Sequence, residues 1–319
     1  MTTYLDFEKP VAELESKIVE LEALSASEGT PSITDELEKL RGKSAKQLKD
    51  LYADLSAWHK TQVARHPERP HFSDYIDGLF EEYQELAGDR VYGNDEAVLG
   101  GLAKFNGRSV VVMGHEKGRN TESRLKHNFG MAHPEGYRKA VRLMDLAEKF
   151  NLPVLTFPDT AGAYPGKAGE ERGQAEAIAR GTERCLTLRV PIITLIIGEG
   201  MSGGAIAIAA ANKVAMMEHA IYSVISPEGC ASILYRDAAK AKDAAEAMKI
   251  TSDHLKRLHV VDEVVKEPVG GAHRDPQKAI KDAGRAIEKL LKPLLKLSPE
   301  ELIRQRRERF YAIGREGLG

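Results

Sequence analysis

Hydrophobic positions in the first sixty residues fall at steps of three and four. Val11, Leu14, Ile18, Leu21 and Leu24 stand among glutamates and lysines, and Leu37, Leu40, Leu48, Leu51, Leu55 and Trp58 repeat the pattern. Two amphipathic helices are predicted. The Gly/Pro/Ser stretch "SASEGTPS" joins them and "RHPERP" closes the second, so residues 1–66 read as a helical hairpin whose apolar stripes need a partner surface. Either the chain's own domain or another subunit can supply that surface.

Beyond Ser73, the predicted N-cap of a helix around "DYIDGLFEEYQEL", the period changes. "AVLGGLAKF" and "RSVVVMGHE" flank Asn106-Gly107, a strong hairpin signal. Helix "PEGYRKAVRLMDLAEKF" opens on Pro134, and strand "PVLTF", helix "EERGQAEAIARGTERCL", strand "PIITLIIG" and a short helix "GGAIAIAAA" follow. Strands "KVAMM" and "AIYSVI", three further helices, the short "VVDEVVK" and two C-terminal helices complete residues 67–319. The alternation predicts an α/β layered domain.

Composition narrows the class. With 319 residues, 42% hydrophobic and 29% charged, the chain can bury one large core plus an appendage. The sequence has no apolar run of a membrane span and no signal-peptide pattern at its start, so the expected location is the cytoplasm. The two cysteines, Cys185 and Cys230, cannot build a disulfide framework or a four-ligand zinc site, and no metal is expected in this chain. A net charge of -2 gives no global attraction to nucleic acid. "RQRRERF" near the end reads as an exposed helical face, and Cys230 as a buried thiol.

Two loops stand out, each following an apolar strand and preceding a helix: "DTAGAYPG" (159–166) and "GEGMSGG" (198–204). In open α/β sheets ligands sit beyond the carboxyl ends of strands, and glycines at a helix start present backbone N–H groups to an anion. "GEGMSGGA" admits three readings. Gly198, Gly200 and Gly203 match a dinucleotide turn, with Glu218 twenty residues on as a ribose-binding acid. Gly200, Ser202 and Gly204 match a hydrolase elbow, with Asp262 or Glu263 and His273 downstream. The Gly203-Gly204 pair alone can form an oxyanion hole.

A resemblance separates these readings. "PEGYRKA", "FPDTAGAYPG", "EERGQAEAIAR", "GEGMSGGA" and "YSVISPEGCASIL", in this order, resemble the α subunit family of bacterial acetyl-CoA carboxylase carboxyltransferase. The likeness runs from "LDFEKPVAELESKI" to "GGAHRDP". Ala161 stands where the family usually has Pro, and Met201 where it usually has Gly.

The resemblance implies a crotonase-like superhelix of ββα units carrying the N-terminal hairpin as an assembly element. It implies transfer of a carboxyl group from carboxybiotin, held on the biotin carboxyl carrier protein, to acetyl-CoA to give malonyl-CoA, the first committed step of fatty acid synthesis. The expected partners are a zinc-bearing β subunit in an α2β2 assembly, the carrier, and biotin carboxylase in the complete complex; alone the chain should be inactive. Gly203 and Gly204 are the expected catalytic donors, and Gly162, Ala163, Tyr164 and Gly200 the expected substrate-binding residues. The basic loop 115–133 could touch CoA phosphates or the carrier. The alternatives are a Rossmann-type dinucleotide-binding protein and a non-catalytic assembly subunit.

Overall fold

The structure is a computed structural model describing residues 3–28 and 31–315, with side chains apart from those of 25–28 and 31–33. Helices α1 (Lys9–Glu28) and α2 (Pro31–Ala53) pair as the predicted hairpin. Residues 29 and 30 of its connection lie outside the described residues. The second apolar stretch is two helices rather than one. Ser56 accepts a hydrogen bond from the His59 N–H and opens α3 (Ala57–Ala64), which carries Trp58.

The base of the hairpin is buried against its own chain. Val11, Leu14, Ile18, Leu37 and Leu55 are buried, Arg274 binds the Glu15 carboxylate at 3.1 Å, and Tyr52 meets His219 edge-on. Helix α3 is held more firmly. The Ala57 N–H donates to Glu246 at 2.6 Å and Lys60 pairs with Asp253 at 2.7 Å. The first 66 residues are therefore tied to the body both at the base of the hairpin and, more closely, along α3.

Helix α4 (Phe72–Leu79) starts after His71, two residues earlier than predicted, and stops at Leu79, where the chain turns directly into β1 (Phe80–Glu85). Strands β2 (Val98–Phe105) and β3 (Arg108–His115) form the hairpin at Asn106-Gly107, both with positive φ, as a tight turn of matching twist requires. Helices α5 (Thr121–Lys126) and α6 (Pro134–Lys149) lead to β4 (Val154–Phe157). The helix predicted over 170–186 is two, α7 (Lys167–Glu171) and α8 (Gln174–Thr187), because Gly173 takes a left-handed conformation, φ 82°, between them.

Strand β5 (Ile192–Ile196), a short β6 (Glu199–Met201), α9 (Ser202–Ala209), β7 (Lys213–Met217) and β8 (Ile221–Ser223) follow. Then come α10 (Pro227–Tyr235), α11 (Ala241–Ala247), α12 (Ser252–Arg257), β9 (Glu263–Val265), α13 (Pro276–Leu294) and α14 (Pro299–Ala312). Strands β1-β2-β3-β4-β5-β7-β9 form one sheet, antiparallel from β1 to β3 and parallel from β3 onward; β6 and β8 pair separately. Gly100 faces Leu143 of α6, while Gly114, on the opposite pleat, faces Phe72 of α4, so helices cover both sides of the sheet. The central parallel strands β4 and β5 are buried from end to end, as a doubly covered sheet demands.

Arg306 corrects the reading of "RQRRERF" as an exposed face. It is fully buried, and its guanidinium donates to the carbonyls of Cys185, Leu186, Leu188 and Val190 and to Asn212 Oδ1. Cys230 is half-buried rather than buried.

Candidate active site

The two glycine loops leave the carboxyl ends of β4 and β5 and join each other through backbone. The Thr160 N–H donates to Glu199 O at 2.6 Å, the Met201 N–H to Thr160 O at 3.1 Å, and the Glu199 N–H to Asp159 Oδ1 at 2.9 Å. This short ladder places the start of α9 against residues 162–163. A Cβ built on Gly204 would lie 2.7 Å from Gly162 C and 2.8 Å from Ala163 N. Only glycine permits that approach.

The opening turn of α9 has donors to spare. Its N-cap is Met201, which provides no side-chain cap. Ser202 opens the helix with a left-handed φ of 56°, and the N–H groups of Gly203 and Gly204 precede the first intrahelical bond, at the positive end of the helix. Across from them, the Gly162 N–H is engaged by Thr160 Oγ1 at 3.1 Å and the Tyr164 N–H by Ala132 O at 3.0 Å. Among the described residues none accepts from Ala163, whose N–H is the open donor on this side. Gly162 serves by conformation, φ 142°.

The six expected site residues thus divide. Gly203, Gly204, Gly162 and Ala163 come together. Tyr164 stacks on His133 with ring centroids 4.2 Å apart and closes over Gly166, stapling its loop. Gly200 is buried in β6 with the Tyr222 ring against its Cα, where a side chain would break the packing. Met201 is extended and buried beside Ile221 and Ile250, so the position asks for no left-handed backbone. Ala161 is exposed at the rim of the loop.

Two hollows flank the loops. One, about 500 Å³, is apolar and lined by Ser202, Gly203, Ile206, Tyr222, Met248 and Phe310. The other, about 340 Å³, is lined by charge, including Arg65, Lys117, Arg124, Asp159 and Glu199. In it Lys117 Nζ sits 2.8 Å from Asp159 and 2.9 Å from Glu199, and Arg65 bridges Glu199 at 2.7 Å to Glu228 at 2.6 Å. Burial opposes ionisation of Asp159, but Lys117 and His71 outweigh it and hold this carboxyl well below the usual range. Burial likewise disfavours the charged Lys117, and the two carboxylates overcome it, raising its pKa. Glu199 is lowered, burial losing to Lys117 and Arg65.

This ion cluster was not legible in the sequence. Lys117 lies in the basic loop, but it turns inward instead of facing a solvent ligand. Its partners stand 42 and 82 residues away, separations that no local spacing marks.

The rival readings lose their residues. Glu218 is occupied by Lys266 at 2.6 Å and by the Glu267 N–H at 3.0 Å, so its carboxylate is not open to a ribose. Ser202 has the left-handed φ, 56°, of an elbow, but the hollow that it lines contains no histidine or acid. Asp262 is paired with Lys213 and Arg309, Glu263 with Lys289, and His273 stacks on His66.

Known proteins resemble this chain in sequence and in fold. The model of the acetyl co-enzyme A carboxylase carboxyltransferase-like family matches residues 4–314. The acetyl-coenzyme A carboxylase carboxyl transferase subunit alpha of Caulobacter sp. (strain K31) is 64% identical over 315 residues, covering 99% of this chain and 98% of that protein. The protein of the same name from Parvibaculum lavamentivorans is 60% identical over 318 residues, covering both chains completely. Among solved structures, a Pseudomonas malonate decarboxylase hetero-tetramer matches with TM-score 0.59 at 15% identity, over 76% of this chain and 96% of that one. Transcarboxylase 12S matches with TM-score 0.53 at 21% identity, over 67% and 41%. These two share the fold, which is crotonase-like, and the near-complete match in sequence goes further: the chain belongs to the acetyl co-enzyme A carboxylase carboxyltransferase-like family.

Proposed function

We propose that this chain is the α half of a biotin-dependent acetyl-CoA carboxyltransferase, a cytoplasmic enzyme active only with its β subunit in an α2β2 assembly. The observation that carries the reading is the uncapped turn at Ser202–Gly204 facing the open N–H of Ala163. Carboxybiotin, delivered as a substrate on its carrier protein, supplies the carboxyl group and, once its N1–carboxyl bond breaks, the nitrogen that takes a proton from the acetyl methyl. Negative charge gathers on the ureido oxygen as that bond breaks and CO2 is released, before N1 takes the proton, and the N–H groups of Gly203, Gly204 and Ala163 stabilise it. The acetyl enolate left by the proton transfer then attacks the CO2. One such donor is worth about 3 to 4 kcal/mol in the transition state.

The chain's residues fit that task. The apolar hollow beside Gly203 suits a largely hydrocarbon arm. No side-chain base is required, which accords with a hollow lined without histidine or acid. The carboxyl group passes to acetyl-CoA, giving malonyl-CoA, with the β subunit holding most of the acyl-CoA and the metal. Biotin carboxylase recharges the carrier, and the hairpin before Ser56 serves assembly.

The experiment is co-purification of this chain with its β subunit, followed by assay of malonyl-CoA decarboxylation with and without biotin. Turnover is expected only in the complex and only with biotin. A complex that assembles but shows no biotin-dependent turnover would sink the reading.

A further inference from the structure

We propose that Lys117 is a positioning residue for carboxyl transfer, the ammonium that holds the two donor-bearing loops in register; this rests on the oxyanion-hole reading above. Its two carboxylate partners bracket the site. Asp159 stands three residues before Gly162, and Glu199 four before Gly203. Lys117 Nζ binds Asp159 Oδ1 at 2.8 Å and Glu199 Oε1 at 2.9 Å. The same Asp159 oxygen accepts the Glu199 N–H at 2.9 Å. One half-buried cation thereby joins the side chains of two strand ends whose backbones are joined by the Thr160 ladder.

The surroundings are shaped for this lysine. Gly118 follows it with φ 76°, and a Cβ there would fall 2.4 to 2.6 Å from the backbone of Ser123 and Arg124, so the tight return after β3 fixes where the lysine starts. Gly130 lies beside its stem: a Cβ there would sit 3.0 Å from Lys117 Cγ and 2.8 Å from Asp159 O. The second Glu199 oxygen is held by Arg65, leaving Lys117 to neutralise Asp159 and one face of Glu199. Without the ammonium, the Asp159 and Glu199 side chains lose the tie they share, and while ionised they also repel. Their separation would be transmitted to Ala163 and Gly204, whose N–H groups must converge on one oxygen, and misplacement of that kind is felt chiefly in the chemical step. Lys117 does not line the hollow beside Gly203. It acts through the loops.

The test uses the assembled α and β subunits with Lys117→Met, Lys117→Arg and the triple variant Lys117→Met/Asp159→Asn/Glu199→Gln, which removes all three charges together. Biotin-dependent decarboxylation should lose at least ~10-fold in kcat in the methionine and triple variants while KM for malonyl-CoA stays within about twofold, and arginine should restore most of the rate. A folded variant without the lysine charge that keeps wild-type kcat overturns the proposal, as does a loss carried in KM or one that arginine fails to rescue. If neither charge-free variant folds, the role is structural and the proposal is equally overturned. Gly204→Val, measured alongside, separates the two readings: normal turnover there defeats the oxyanion hole itself, whereas loss there with normal turnover in the folded lysine variants defeats only this inference.

Discussion

Helices α8 and α9 cross where Gly181 meets Ala207, close enough that a Cβ on the glycine would lie 2.7 Å from the Ala207 carbonyl oxygen. Their ends are treated in opposite ways. The carbonyls of Cys185, Leu186 and Leu188 at the end of α8 are gathered by the buried Arg306, whose pKa burial lowers to about 10 without costing it its charge at neutral pH. The N–H groups opening α9 receive no side-chain cap. The carbonyls at the end of α8 are met by a buried guanidinium, which stability explains, whereas Ser202 is exposed and Gly203 half-buried, so the start of α9 is open to solvent or to a ligand.

The largest expected effect breaks the open end. Gly204→Val should lower kcat by at least ~100-fold with the complex still assembled, because the new side chain must displace the Gly162–Ala163 backbone. Steady-state decarboxylation kinetics check this. The closed end should fail differently. Arg306→Met strands four carbonyls, and chemical denaturation should show a loss of about 3 kcal/mol, while kcat per folded complex changes little.

Acid should erode stability in two stages. Burial lowers His115 to about 4, and burial with His66 beside it lowers His273 to about 3. Folded histidines then bind fewer protons than unfolded ones, so their contribution is fully present above the unfolded value of about 6.5 and is lost progressively as pH falls from there to the folded values. Glu267, where Arg69 outweighs burial, is held at about 2. Its contribution is lost below the unfolded value of about 4.3, also toward acid. Melting temperature measured from pH 8 to pH 3 should fall in both windows. Glu267→Gln should flatten the lower one, and His273→Phe should weaken the upper one.

The smallest effects sharpen the assignment of donors. A Cβ on Gly203 meets only the Ile178 side chain, at 3.1 Å, which can move, so Gly203→Ala should cost kcat several-fold at most. Ser202→Ala should stay within about threefold, since the hydroxyl has no base in its hollow; a thousandfold loss would restore the hydrolase reading.

Legibility in the sequence followed the range of the interaction. Strands β2 and β3, the helix opened by Pro134 and both glycine loops stood out because period, turn chemistry and N-terminal proline act over a few residues. Around Leu79 and Phe80 the apolar positions Tyr75, Ile76, Phe80 and Tyr83 suit a helix, and pairing with β2 turns the second half into a strand. Gly173 looked tolerable inside a helix and proved to be its break. Gly203, Gly204, Gly162 and Ala163 were expected at the loops, and folding brings those loops together. Which N–H remains open among them depends on the Thr160 hydroxyl, and the Lys117 cluster and the Arg306 cap depend on chain segments that meet only after folding.

The anchoring of α3 has a consequence for how this gene could be cut and rejoined. Lys60 and Arg65 reach Asp253, Glu199 and Glu228, so the stretch from Ser56 to Arg65 travels with the body even though it follows the hairpin in the chain. A chimaera that borrows the hairpin of a relative would keep the Lys60 and Arg65 ion pairs of its parent if the junction falls between Ala53 and Ser56, and would then have to supply its own partner for Arg274 at position 15. A junction at residue 66 would graft foreign partners onto Glu199, and recombination between homologues should favour the earlier seam.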